Sequence, residues 1–219
     1  SSMRVSIFTS ILQVYTYIHV GDTWIANVCA ESYRSMIEQF FSRDTITSLP
    51  WKNGGGVTRE VAKSHSQAPF WRLSIANVDQ EGPFSLFEGL DRILTVIEGK
   101  GMVLARYNGD LIADLHIPVH FSGSDAINGL LPNGPIQDFN LIFDGSKLAA
   151  DVSVTDTVEL DISLSSTLVM TLVYCLTGAF KLLGSQTLLP HDGVMNPRGK
   201  LTAVSHTSTA LVIQISSRR

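Results

Sequence analysis

Within the eleven residues PWKNGGGVTRE, from Pro50 to Glu60, the chain places an indole, an amide, three consecutive glycines, a guanidinium and a carboxylate. Such groups suit recognition of a small anion. A guanidinium offers a planar fork of donors to a carboxylate, and successive backbone N–H groups can form an anion-binding nest. Three glycines in a row also surrender backbone entropy, which points to positive φ angles or close approach of another group at Gly54, Gly55 and Gly56. The same run serves equally as a bend ahead of a strand starting at Val57. Two further arginines, Arg72 and Arg92, follow at strand-like positions. Glu60, Asp91 and Asp138 are the carboxylates that would hold the three forks in place or accept an N–H from a ligand. No Ser-His-Asp arrangement accompanies them, so catalysis would rest on Glu60 or Asp138 as general base.

Those side chains need strands to aim them. In Trp71 to Ala76, large apolar residues alternate with polar or small ones, which puts Arg72 and Ser74 on one face and Trp71, Leu73 and Ile75 on the other. Asp138 and Asn140 share a face in the same way, either toward a ligand or within an internal hydrogen-bond network. Alternation places Arg59 and Glu60 on opposite faces, so only one of them can look into a pocket. Arg92 follows Asp91 at a turn, where it either reaches a ligand or stays solvated. Trp51 is either a stacking platform or a core or rim residue, and Ser85, between Phe84 and Phe87, either meets a ligand or satisfies a turn.

Apolar runs at 92–97, 102–107, 111–115, 168–175, 179–183, 201–204 and 210–215, punctuated by Gly, Pro, Asn and Asp, extend the β pattern along the chain. Helical periodicity is confined to 32–41. Many short strands with frequent turns imply an all-β sandwich or barrel. A repeat sharpens this: Thr95 to Gly99, Met102 to Leu104 and a turn at Asn108-Gly109 are echoed by Val173 to Gly178, Phe180 to Leu183 and a turn at Gly184-Ser185. A proline-containing segment follows each, around Pro118 and Pro190, as duplication of one unit would produce. The expected organisation is an extension at 1–35, an N-terminal barrel at 36–155, and a C-terminal barrel at 156–219 completed by strands from the first half.

Composition narrows the partners. With 44% hydrophobic and 16% charged residues, 219 residues can bury a substantial core. A net charge of −4 and the absence of any Lys/Arg run argue against nucleic acid. The apolar run at 5–20 is too short and too polar to span a bilayer and fits a signal peptide poorly, so no membrane partner is expected. Cys29 and Cys175 lack CxxC spacing, which favours a reducing compartment and a cytoplasmic protein.

The frame Gly82-x5-Glu88-x-Leu90-x3-Leu94-x6-Gly101 is similar to the first cupin motif, with its glycines kept. Where a metal cupin places His, His and Glu, this chain has Glu88, Leu90 and Leu94, and one carboxylate with two leucines is a poor shell for a divalent ion. With the repeat, this implies a metal-free bicupin without cofactors. More specifically, PWKNGGGVTREVA, FWRLSIANV, GPFSLFEGLDRILTVIEGKG and DFNLI resemble the HutD/Ves family, over roughly 36–144 and more loosely beyond. That resemblance implies a bicupin protein associated with histidine utilisation that senses or limits a pathway intermediate, with no enzymatic activity firmly attached. The expectation is a pocket for a small carboxylate such as urocanate or formylglutamate, in a protein compatible with a homodimer. Its ligand-binding residues would be Trp51, Asn53, Gly55, Thr58, Arg59, Glu60, Arg72, Ser74, Ser85, Phe87, Asp91, Arg92, Asp138 and Asn140. The alternative is a cupin enzyme, an isomerase or hydrolase acting on a small carboxylate.

Overall fold

The computed structural model describes residues 5–10, 13–20, 23–26, 38–65, 68–156, 159–161, 167–182 and 186–218, which form strands and turns with one 3-10 turn at Arg43–Thr45 and no α-helix among them. One compact unit ends at Glu38 and another begins at Gln39. In the first, β1 (Val5–Ser10), β2 (Gln13–Val20) and β3 (Thr23–Ala26) form an antiparallel meander. The second opens with β4 (Gln39–Ser42), β5 (Ser48–Pro50), β6 (Gly56–Lys63), β7 (Trp71–Val78), β8 (Gly82–Pro83) and β9 (Asp91–Glu98). It continues with β10 (Met102–Ala105), β11 (Leu111–Ala113), β12 (Val119–Ser122), β13 (Asn128–Leu130), β14 (Ile136–Phe143) and β15 (Leu148–Thr155). The last strands are β16 (Glu159–Asp161), β17 (Leu168–Thr177), β18 (Phe180–Leu182), β19 (Thr187–Leu188), β20 (Asp192–Met195), β21 (Lys200–Ala203) and β22 (Thr209–Ser217).

These strands make two sheet pairs. A six-stranded sheet, β12-β9-β14-β7-β6-β5, covers a four-stranded one, β11-β10-β13-β8; a five-stranded sheet, β15-β22-β17-β20-β4, covers another of four, β16-β21-β18-β19. Three apolar layers follow from strand alternation. Leu94, Val96 and Ala76 meet Met102, Leu104 and Phe121 inside the first pair, and Val173, Cys175 and Ala210 meet Phe180, Leu182 and Leu201 inside the second. Between the two large sheets, Leu73, Ile75, Phe139 and Leu141 pack against Leu172, Tyr174, Leu211 and Ile213. Each such aliphatic side chain contributes roughly 1.5–3 kcal/mol when fully buried. Burial on both faces explains why β9 and β17 read as nearly continuous apolar runs, whereas β14, equally buried, carries the polar Gln137, Asp138 and Asn140.

One expectation changes. The helical periodicity of 32–41 gives way at its end to β4, which pairs antiparallel with β20 while Phe41 stacks on Tyr174 at 6.2 Å. That aromatic contact is long-range and outweighs local periodicity; residues 32–37 lie outside the described residues. β15 precedes residue 156, pairs along its whole length with β22 and packs Ala150, Val152 and Val154 against the layer between the large sheets, so a strand of the first half joins the second sheet pair.

Candidate functional site

Three adjacent strands set the floor of a cavity. In register, Glu60 of β6 stands opposite Ser74 of β7, Ser74 opposite Asn140 of β14, and Asn140 opposite Leu94 of β9. One step along the sheet lie Thr58, Ala76, Asp138 and Val96; one step the other way, Ile142 is flanked by Arg72 and Arg92. All these side chains face away from the layer between the large sheets, because the residues alternating with them fill it. The register of β6 shifts between Glu60 and Ala62, a bulge that leaves Glu60 aimed at the cavity while returning Ala62 to the opposite face.

The cavity has a volume of about 570 Å3. Thr58, Glu60, Arg72, Ser74, Ala76, Arg92, Asp138, Asn140 and Ile142 form its floor, with Leu49 to Asn53 on one wall and Pro83, Phe84, Ser85 and Phe87 on another. Trp51 is fixed by its indole N–H, which donates to Thr58 Oγ1 at 2.7 Å. Glu60 is held from two sides, by Lys63 Nζ at 2.8 Å and Arg72 Nε at 3.2 Å. The Arg72 contact is an ion pair by distance only: its N–H points off the carboxylate, and Arg72 Nε makes no hydrogen bond.

Arg92 is the most confined cation. It is 5% exposed, and its guanidinium lies 5.0–5.4 Å from the ring centres of Phe84, Phe87 and Phe121, within cation–π range. Burial pushes its pKa down to about 10, against the pull of Asp138 and with added repulsion from Arg72. Burial pushes the Asp138 carboxyl up to about 7, opposed by Arg92. Among the described residues, four buried side-chain atoms of this floor have no hydrogen-bond partner: Arg72 Nε, Arg92 Nε, Asp138 Oδ1 and Asn140 Oδ1.

Eleven of the expected residues, Trp51, Asn53, Thr58, Glu60, Arg72, Ser74, Ser85, Phe87, Arg92, Asp138 and Asn140, line this one cavity. Three do not. Arg59 points to the other face of β6, opposite Ile75, and donates to Asn77 Oδ1 at 2.7 Å, which also accepts from Gln137 Nε2. Asp91 begins β9 on the opposite face from Arg92, and its carboxylate lies over Gly145, whose missing Cβ makes room for it. Gly55 is buried in the turn: its N–H donates to Asn53 Oδ1, and its carbonyl accepts from the N–H groups of Asp79 and Gln80.

The glycine run does not present an anion nest. Gly54 N–H is bound to the Trp51 carbonyl and Gly55 N–H to Asn53, so two of the three donors are consumed within the turn. Of the three, only Gly54 has a positive φ, +73°, whereas Gly56 is required by close approach, since a Cβ there would collide with the Asn77 carbonyl. Sequence reading passed over Leu49, Pro50, Lys52, Ala76, Pro83, Phe84 and Ile142. Ala76 and Ile142 were reachable by period two, one step beyond Ser74 and Asn140; the others depend on how turns fold over the sheet.

His116 sits in a turn with φ 66°, and His120 is exposed on β12. Leu94 is in the core inside the first sheet pair, and Glu88 is exposed. Among the described residues no three His, Cys, Asp or Glu side chains cluster as metal ligands would, and no helix is long and apolar enough to cross a membrane.

Comparison with known proteins places this architecture. The HutD family model matches residues 43–213. An uncharacterized 21.2 kDa protein in the hutC 3' region of Pseudomonas putida is 42% identical over 101 residues, covering 43% of this chain and 52% of that protein, so the match spans about half the relative's length. Protein Ves of Cronobacter sakazakii is 30% identical over 168 residues, covering 75% of this chain and 90% of that one. The structure of HutD from Pseudomonas fluorescens SBW25 (formate condition) superposes with a TM-score of 0.71 at 30% identity, covering 84% of this chain and all of that one, 100%. Protein Ylba from E. coli, at 11% identity and a TM-score of 0.61 over 84% of this chain and 93% of that one, shares the fold alone. With an all-β, cupin-like fold and a family match over most of its length, the chain belongs to the HutD/Ves family.

Proposed function

We propose that the cavity binds a small carboxylate, and that the protein senses or modulates histidine utilisation through an intermediate such as urocanate or formylglutamate. The observation that carries this reading is the convergence of Arg72 Nε, Arg92 Nε, Asp138 Oδ1 and Asn140 Oδ1, all buried and without a hydrogen-bond partner among the described residues, on one cavity. An unmet buried polar atom costs about 1–3 kcal/mol, so an occupant that satisfies several of them gains correspondingly. The sign of charge agrees: Lys52, Arg72 and Arg92 face Glu60 and Asp138, and Glu60 is already committed to Arg72 and Lys63. The hutC-region relative supports the pathway. The two sheet pairs are read as barrels of a duplicated, metal-free bicupin. The order β7-β14-β9 in one large sheet and β15-β22-β17 in the other supports that reading.

A second reading is favoured by Asp138 alone. A carboxyl held near pH 7 in a cavity is suited to general acid–base work, so the enzyme alternative rests on Asp138 rather than on the ion-paired Glu60. Calorimetric titration with urocanate and with N-formyl-L-glutamate, the same mixtures being followed for turnover, separates the two. Saturable binding without turnover is expected, with affinity reduced roughly ten- to a hundredfold in Arg72→Ala, as loss of a charged hydrogen bond implies. Turnover that disappears in Asp138→Ala establishes the enzyme instead. Binding unaffected by any floor substitution removes the site.

A further inference from the structure

We propose that the cavity takes up its carboxylate ligand together with a proton, and that in the complex Asp138 is a neutral hydrogen-bond donor to the bound anion. The inference rests on the carboxylate-binding reading and assigns Asp138 its role there. Asp138 lies mid-floor between Ala76 and Val96, two side chains that cannot solvate a charge, and it is 2% exposed with Oδ1 unpartnered. The charged groups of the floor around it are Arg92 on β9, Arg72 on β7 and Glu60 on β6, with Lys52 on the turn above. The Pro83–Phe87 wall adds no ionisable side chain, and the four-stranded sheet beneath packs Met102 and Leu104 against this layer. Glu60 offsets part of the Arg72 charge at 3.2 Å, which leaves Arg92 as the main cation near Asp138.

A carboxylate drawn toward Arg72 and Arg92 arrives beside Asp138, and two carboxylates sharing one desolvated site do not both stay ionised. One proton removes that repulsion and turns it into an O–H···O⁻ bond, among the shorter and stronger hydrogen bonds. The proton comes from solvent and resides on Asp138, the more deeply buried partner. Burial already holds that carboxyl near neutrality, at about 7, in the unliganded protein. Among the described residues no histidine lines the cavity.

The test uses the full chain with N-formyl-L-glutamate, whose two carboxyls are ionised throughout about pH 6 to 9. Calorimetry in buffers of different ionisation enthalpy counts the protons taken up on binding. Uptake of about 0.9 proton per ligand is expected at pH 8, with affinity falling about 30-fold from pH 6 to pH 8.5. Asp138→Asn keeps a donor that cannot ionise, so it should bind within about threefold of the wild-type affinity at pH 6, with a flat pH profile and no proton uptake. Saturable binding by the wild type without proton uptake overturns the inference and leaves the carboxylate site standing, as does a variant that keeps the pH slope. Absence of saturable binding at every pH overturns both. Should Asp138→Asn not fold, the wild-type proton count decides by itself.

Discussion

Replacing Arg92 by methionine separates binding from stability. The guanidinium is 5% exposed, and the fall of its pKa to about 10 corresponds, at about 1.4 kcal/mol per tenfold change in protonation equilibrium, to about 3 kcal/mol of unfavourable burial at neutral pH. Methionine keeps an unbranched stem between Phe84, Phe87 and Phe121 and removes that cost, while forfeiting cation–π attraction of about 0.5–2 kcal/mol. Asp138 loses its main counter-charge but is near neutrality already, so it protonates rather than remaining as a buried anion. The net change in folding free energy is then about +1 to +2.5 kcal/mol, or a melting temperature a few to several degrees higher for a chain of this size. Affinity for the carboxylate should fall roughly ten- to a hundredfold in the same variant. Differential scanning calorimetry and isothermal titration on one preparation give both quantities. A melting temperature lowered by more than about 5 °C with unchanged affinity would refute the reasoning, because Arg92 would then be a structural cation whose partners are in the fold.

Three further outcomes follow from the geometry. Arg59→Ala should leave ligand affinity within about twofold of wild type, since Arg59 reaches Asn77 on the far face of β6; a tenfold loss by titration would put it back in the cavity. Gly56→Ala should destabilise by more than about 2 kcal/mol in a denaturant melt, as its Cβ meets the Asn77 carbonyl, whereas Gly54→Ala, with open space around it and φ +73°, should cost only about 1 kcal/mol. Because the folded-state pKa of Asp138 is raised, the native state binds more protons than the unfolded chain between the ordinary carboxylate range and about pH 7. Its contribution to stability is therefore greatest in acid and is lost as pH rises to about 7. Wild type minus Asp138→Asn, compared by melts from pH 4 to 8, should show this downward slope, and a difference that rises with pH would contradict it.

What the amino-acid order determines by itself is local in origin. Period-two alternation assigns Arg72, Ser74, Asp138 and Asn140 to faces opposite their large apolar neighbours, because successive side chains of any extended strand must diverge. The glycine-marked turns and the all-β pattern are legible for the same reason. Which face looks into a cavity is not local. Glu60 rather than Arg59 turns inward because pairing puts it opposite Ser74 ahead of the bulge, and no residue of β6 encodes its partner's register. Arg92, ambiguous beside Asp91 in the sequence, is buried because Phe84, Phe87 and Phe121 from separate segments close around it. The N–H groups of Gly54 and Gly55 were available to an anion until the turn carried Trp51 and Asn53 onto them. The strand at Gln39–Ser42 likewise exists because β20 and Tyr174 lie where it can pair and stack. Pairing partners distant in sequence set the desolvation of each charge, and desolvation is what turns a row of polar side chains into a site.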